Sequence, residues 1–317
     1  MASLKSVLEC VVNISEGRDR SALVELAEVC GPTLLDQNID YDHNRSVFTL
    51  AGPGPADAIA ATVDLARAVA SRLDLTNHHG VHPRLGALDV VPFCEIEGPM
   101  AIAVEAARAF GYWAGAELDL PVFFYDEADP EQRSLPVLRA QAFSSRAPDA
   151  GPNQPNPRLG AVAVGARRPL IAVNFFLASG DVTAAQEMAH MLRERDGGLP
   201  GVRALGFNLA DRGCAQVSLN LTDLERTGLE QAAEAVERAA ATANCSIGEM
   251  ELIGLMPESE FARLSEEFIT RHRLSNNDTI EGRKRIWPYK VLCERLSSGE
   301  TASHSPLSTN PPALTLG

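Results

Sequence analysis

Leu170-Ile171-Ala172-Val173-Asn174-Phe175-Phe176 is an apolar run of strand length, and it starts a pattern that the chain has already completed once. Downstream, a helical spacing over 182–195 stops near Gly197-Gly198. Strand patterns over 202–209 and 215–221 follow, then a helix over 228–243 and a strand over 250–255. The order is βαββαβ. Upstream, 8–14 reads as a strand and 19–30 as a helix with Leu23, Leu26, Ala27 and Cys30 on one face. Two strands, 33–37 and 46–51, are joined by a polar turn through Asp40, Asp42 and Asn44. Pro55 suits the first turn of a long helix carrying Ile59, Val63, Ala66 and Leu73, and 87–93 is the closing strand. The order is again βαββαβ, extended by a helix over 101–118 and strands over 121–125 and 161–164.

Each repeat predicts a four-stranded sheet with two helices on one face, the ferredoxin-like arrangement. The expected fold class is α/β, in the α+β sense: two ferredoxin-like βαββαβ subdomains forming a cleft where a ligand can sit. Residues 1–178 are assigned to the first and 179–296 to the second. A Pro/Gly/Asn-rich stretch, 147–157, reads as an exposed loop. The tail 297–317, rich in Ser, Thr and Pro, has too few large apolar residues for a core and is expected to be disordered.

Composition narrows the function classes. The chain has 317 residues, 45% of them hydrophobic, and a net charge of −14. A nucleic-acid partner calls for a basic face, and the densest basic segment is only Arg283-Lys284-Arg285. No apolar run reaches the ~20 residues of a membrane span. The N-terminus lacks the apolar core of a signal peptide. Six cysteines, at 10, 30, 94, 214, 245 and 293, contain no C-x-x-C pair and read as reduced thiols. A cytoplasmic protein without nucleic-acid or membrane partners is expected.

Residues 77–89 hold three of the seven histidines: Asn77-His78-His79-Gly80-Val81-His82-Pro83-Arg84-Leu85-Gly86-Ala87-Leu88-Asp89. Imidazole titrates near neutrality, so such a loop suits proton transfer or metal binding. Pro83 fixes φ and biases the residues before it toward extended backbone, and Gly80 and Gly86 allow close backbone approach. Three readings stand side by side. His78 and His82, four apart, could share a metal on a helix, but Gly80 and Pro83 oppose a helix there. His78 or His79 could cap the preceding helix. His82 best suits acid/base work.

Other segments offer polar groups. Asn13-Ile14-Ser15-Glu16-Gly17-Arg18 follows the first strand; Glu16 could hold a cationic amidine, or the segment is turn chemistry with Ser15 or Asp19 as cap. Arg45 and Arg84 could fork onto carboxylates, or serve a polar hairpin. The small-residue strand from Leu159 to Val164, with Gly165-Ala166-Arg167-Arg168 beyond it, could receive a flat ring and an anionic tail, or be a packed central strand. Gln216-Val217-Ser218-Leu219-Asn220 alternates like an ordinary half-exposed strand.

These segments together resemble the glutamate formimidoyltransferase (formiminotransferase) family over roughly residues 5–260. The resemblance runs through Glu9-Cys10-Val11-Val12-Asn13-Ile14-Ser15-Glu16-Gly17, Asn44-Arg45-Ser46-Val47, Gly80 to Asp89 and Gly160 to Asn174, and more weakly through Ala215 to Asn220. It implies transfer of the formimino group from N-formimino-L-glutamate to tetrahydrofolate, giving 5-formimidoyltetrahydrofolate and L-glutamate, in histidine degradation. It also implies a homodimer, tetrahydrofolate as co-substrate, no metal, and the stand-alone form without a cyclodeaminase domain. His82 matches the catalytic histidine. Asn13, Glu16, Asp36, Arg45 and Arg84 are the implied substrate-binding residues. Gly160, Ala161, Gly165, Ala166, Arg167 and Asn174 are the implied folate contacts.

The chain departs from the family at Val12, often proline, and at Asn38, where some relatives carry aspartate. An acidic partner for His82 is therefore expected from Asp36, Asp40 or Asp42. Val173 and Phe175-Phe176 also depart from the usual pattern of the folate strand. The alternatives are a glutamate formyltransferase, a non-catalytic folate-binding protein on the same fold, and a metal-dependent hydrolase using His78, His79 and His82.

Overall fold

Alternation along each strand decides which side meets a helix. In the computed structural model, which describes residues 6–286, strand β1 (Val7–Ile14) buries Leu8, Cys10, Val12 and Ile14 on one side. Glu9, Val11 and Asn13 fall on the other. The side chains of the first side pack under α1 (Arg20–Cys30), α2 (Pro55–Arg72) and α3 (Met100–Glu117), together with Leu23, Leu65 and Phe110. Asp19 caps α1 by accepting from the Ala22 N–H at 3.0 Å, and Pro55 occupies the first turn of α2 as its φ requires.

Strands β2 (Leu34–Asp40), β3 (Arg45–Ala51) and β4 (Leu88–Glu97) join β1 in the antiparallel order β2-β3-β1-β4. This is the ferredoxin-like order. It is extended by β5 (Val122–Asp126) and β6 (Val162–Arg167), both parallel, with β6 inserted between β4 and β5. The first sheet thus has six strands instead of the expected four, because two crossovers after β4 return the chain to the same edge. The second crossover carries a short helix, α4 (Leu135–Gln141), absent from the sequence-derived order. Its approach is fixed by the buried Asp129 carboxylate, which takes a two-pronged bond from Arg133 at 2.7 and 3.0 Å and lies 3.4 Å from Arg146.

The second sheet has the order β10-β7-β9-β8, built from β7 (Ile171–Leu177), β8 (Val202–Leu209), β9 (Cys214–Leu221) and β10 (Ile247–Ile253), all antiparallel. This repeats the ferredoxin-like order of the first four strands. Helices α5 (Val182–Leu192) and α6 (Leu229–Thr242) cover one face through Met188, Leu192, Leu229 and Val236. Because β7 pairs in this sheet, the chain passes from first to second unit between β6 and β7, ahead of the boundary at 178. Three short helices follow: α7 (Glu258–Phe261), α8 (Glu266–His272) and α9 (Ile280–Ile286). The tail 297–317 lies outside the described residues, as does Cys293. Cys10, Cys30, Cys94, Cys214 and Cys245 are free thiols. Among the described residues no helix is long and apolar enough to cross a membrane.

Each sheet therefore keeps one face free of its own long helices. Ion pairs and ring contacts join these faces near one end. The Asp211 N–H donates to Asp42 Oδ1 at 3.1 Å, and the Phe207 ring lies 4.9 Å from that of His43. The histidine loop is anchored beside this junction at Gly160, whose φ is +71° and where a Cβ would lie 2.3 Å from the Leu85 carbonyl oxygen. Gly213 has a similar φ of +64° with open space around it. Gly213→Ala is expected to cost about 1–2 kcal/mol from backbone conformation alone. Gly160→Ala should cost clearly more, since the clash adds to the same strain; urea midpoints of the two variants measure the difference.

Candidate functional site

Three loops meet at one end of the first sheet, and side-chain bonds to backbone hold them together. Asn44, in the turn between β2 and β3, adopts φ +47°. Its Oδ1 accepts from the Gly17 N–H at 2.9 Å, and its Nδ2 donates to the His79 carbonyl at 2.9 Å. Gly80 packs so tightly on this turn that a Cβ would lie 2.2 Å from the His43 carbonyl oxygen. Ser15 ties the end of β1 to the same loop, donating from Oγ to Gly86 O and from N–H to Ala87 O, both at 2.8 Å.

The histidine loop is not helical. It is braced from within by Arg84, whose Nη2 donates to the carbonyls of Gly80 and His82 at 2.9 and 3.0 Å, while Nη1 reaches His78 Nδ1. Arg84 is thus turned back onto its own loop and His78 is half-buried under it. Burial and the Arg84 charge lower the His78 pKa. Among the described residues no group of three His, Cys, Asp or Glu side chains is placed to hold a metal ion.

His82 Nδ1 lies 2.7 Å from the Pro83 carbonyl oxygen. A carbonyl only accepts, so Nδ1 carries the proton and Nε2 presents its lone pair. Burial, then the charge of Arg45, push the His82 pKa well below the usual imidazole value, with Arg139 and His43 acting in the same direction and Asp89 against them. Together these influences favour the neutral ring. It stacks at 6.1 Å on Phe207, which the second sheet contributes from β8, and lies 5.8 Å from His43.

Behind the loop sits Asp89, fully buried. Its Oδ2 accepts from Arg45 at 2.5 Å and from Arg139 of α4 at 2.7 Å, and its Oδ1 from the Leu85 N–H at 2.6 Å. Burial alone would raise this carboxyl; the two guanidinium groups win and hold its pKa at about 2. Arg45 also donates to Asn13 Oδ1 at 2.9 Å, and Arg139 to the Pro83 carbonyl at 3.0 Å.

The residues singled out from sequence separate into groups. His82, Asn13 and Arg45 come together around Asp89. Glu16 accepts from the Arg18 and Asp19 N–H groups at 2.7 and 2.8 Å, as turn chemistry. Asp36 lies 3.4 Å from Arg283 of α9. Asp40 pairs with His43 at 2.8 Å, and Asp42 faces Asp211 and Arg212 of the second unit. The partner of His82 Nδ1 is thus a backbone carbonyl instead of any of these three acids. Gly160, Ala161, Gly165, Ala166 and Arg167 belong to the buried central strand and its approach: Ala161 N–H bonds Leu85 O at 3.0 Å, and Tyr125 fills the space over Gly165. Arg167 neighbours Glu9, whose carboxyl burial pushes up to about 7. Asn174 stands apart on β7, with its Nδ2 3.3 Å from Glu251 Oε2.

Arg139 and Phe207 escaped the sequence reading, and Asp89 and Gln216 were seen there but given no role. Asp89 sits inside the histidine run, and a carboxylate starting an apolar strand was a usable signal. Arg139 had only the Ser134-Leu135-Pro136 helix start to reveal it. Gln216 lies between Phe176 and Phe207 in the strand register, on the helix-free face. It is fully buried, and among the described residues its amide oxygen and nitrogen have no partner, nor has the Thr49 hydroxyl on the first sheet. Unpartnered buried polar groups are costly, and a ligand with matching donors and acceptors relieves that cost.

Comparison with known proteins matches residues 7–167 to the formiminotransferase domain, N-terminal subdomain, and residues 172–291 to the formiminotransferase domain. A glutamate formimidoyltransferase of Streptococcus pyogenes serotype M1 is 33% identical over 84% of this chain and 94% of its own length. One from Thermoplasma acidophilum is 33% identical over 87% and 96%. The formimidoyltransferase-cyclodeaminase of Sus scrofa is 35% identical, over 80% of this chain and 51% of that protein.

The Asp89 network makes a stability prediction. Asp89→Ala strands two guanidinium groups and should cost about 3–5 kcal/mol. A carboxyl lowered to about 2 from 3.8 stabilises the fold fully above pH ~4 and loses that contribution as pH falls through its folded value. Urea midpoints between pH 5 and 2 should therefore fall less steeply in Asp89→Asn than in the unaltered protein.

Proposed function

The chain belongs to the formiminotransferase family, and on that premise we propose that it transfers the formimino group of N-formimino-L-glutamate to tetrahydrofolate, giving 5-formimidoyltetrahydrofolate and L-glutamate, in histidine degradation. The observation that carries this reading is His82. Its tautomer is fixed by the Pro83 carbonyl, burial together with Arg45 and Arg139 favours the neutral ring, and among the described residues its Nε2 makes no hydrogen bond.

The chemistry needs one group to take a proton from an attacking ring amine and return one to a departing glutamate amine. A neutral imidazole with a free Nε2 serves both steps. Asn13 and Arg45, at the end of the same face, orient the donor; Phe207 offers a flat apolar wall beside His82. The unpartnered amide of Gln216 and the hydroxyl of Thr49 fit a ring that presents alternating donors and acceptors, as a pteridine does. Asn174, on the same helix-free face as Gln216, completes the proposed folate side, and the packed strand from Gly160 to Arg167 backs it. Holding two substrates in register supplies a large share of the rate. The same reading includes a cytoplasmic homodimer with tetrahydrofolate as co-substrate and without metal, nucleic-acid or membrane partners.

Mixing the protein with formiminoglutamate and tetrahydrofolate, then acidifying, yields an absorbing methenyl product if transfer occurs. His82→Ala should lower turnover by roughly 10²–10⁴-fold while tetrahydrofolate binding persists; undiminished turnover overturns the assignment. A signal with a formyl donor but none with formiminoglutamate redirects it to formyl transfer. The pH profile gives a second check. The lowered pKa of His82 keeps its base form populated as pH falls past the usual imidazole value. The acid limb of kcat/KM should therefore lie well below pH 6.5.

A further inference from the structure

Arg139 comes from α4, outside every segment that carries the family resemblance, yet it reaches the centre of the histidine loop. Its guanidinium makes two bonds at once, Nη1 to the Pro83 carbonyl at 3.0 Å and Nη2 to Asp89 Oδ2 at 2.7 Å. The Pro83 carbonyl is the same oxygen that receives His82 Nδ1–H at 2.7 Å. Asp89 in turn holds the Leu85 N–H, two residues further along. We propose that Arg139 is a positioning residue for the transfer reaction: its fork, backed by Asp89, fixes the Pro83 carbonyl and through it the tautomer and orientation of His82.

A carbonyl has two acceptor directions, and here Arg139 and His82 take both. The peptide plane after Pro83 cannot rotate without breaking one bond or the other. Proline already prevents rotation about φ at 83, so ψ is the soft angle left, and Arg139 is the group that restrains it. A guanidinium suits the task because its donors are fixed in one plane and can face a carbonyl and a carboxylate together; a lysine ammonium on a flexible stem cannot hold both. The helix that delivers it is itself pinned, through the Arg133 and Arg146 contacts to Asp129, so the fork arrives from a rigid base.

Four groups face the imidazole: Arg45 from β3, Asp89 from β4, Arg139 from α4 and His43 from the β2–β3 turn. Replacing Arg139 by a neutral residue removes one of two nearby guanidinium charges as well as the fork. Replacing it by lysine keeps a charge and loses the fork. The inference rests on His82 being the proton-transfer group, and the first readout below does not depend on turnover.

The test uses the full chain with ¹⁵N-labelled histidine. In the unaltered protein His82 should appear as a single neutral tautomer protonated at Nδ1. Arg139→Gln and Arg139→Lys should each give a mixture of tautomers. In steady state both should lower kcat about 10–100-fold with KM for either substrate within about twofold, and only Arg139→Gln should move the acid limb to higher pH. Guanidinium ion added to Arg139→Ala should restore part of kcat. An unchanged tautomer in folded Arg139→Gln, or a change confined to KM, overturns the proposal. If Arg139→Gln fails to fold, Arg139→Lys carries the same test. Failure of the His82 assignment would show separately, as full turnover in His82→Ala.

Discussion

Everything at the site hangs on one buried carboxylate. Asp89 is fully enclosed at the start of β4, and an isolated charge there would be prohibitively costly. It is tolerated because three donors converge on it: Arg45, Arg139 and the Leu85 N–H. Each donor has a second task. Arg45 orients Asn13, Arg139 holds the loop at Pro83, and the Leu85 peptide lies at the point where the loop pairs with the approach to β6. A single negative charge thereby ties two strands, a short helix and a loop into one arrangement. Buried ion pairs seldom add much net stability, but breaking one is costly, so this one specifies geometry more than it strengthens the fold.

The second constraint is polarity between the sheets. A helix-free sheet face in a protein of this size is ordinarily apolar where another layer covers it. Here the first sheet offers Asn13, Asp40, Arg45 and Thr49, and the second offers Asn174, Gln216 and Glu251. Several of these are buried, and the Gln216 amide and Thr49 hydroxyl have no partner among the described residues. Such a layer is poorly suited to hold two sheets together and well suited to a polar ligand. The halves are joined by contacts such as Asp42 with Asp211 and by a small buried apolar cluster of Leu35, Ala51, Leu255 and Ile280.

The duplicated topology was legible because local periodicity carries it. Leu23, Leu26 and Ala27 mark α1 at helical spacing, and β7 to β10 stand out between clear helices. The extension of the first sheet was not legible: whether β5 and β6 join an existing sheet or start another is settled by which edge the crossovers return to, and no local pattern encodes that. His82 drew the eye because imidazole in a Gly/Pro-bounded loop is chemically conspicuous. Its backbone partner was missed because a carbonyl leaves no mark in the sequence, and an acid was sought in its place. Arg139 was missed because an arginine on a short helix looks the same in sequence whether it faces water or a loop 56 residues away.

Phe207 gives the molecule a further property. The ring that stacks on the site imidazole comes from the other half of the duplicated chain, across a junction that combines polar contacts with a small buried apolar cluster of Leu35, Ala51, Leu255 and Ile280. Each half has its own apolar core, so each can persist while the junction loosens. The environment of the His82 ring is then a report on docking rather than on folding. Separation of the two halves would take the Phe207 wall away from the His82 ring while each sheet keeps its own apolar core.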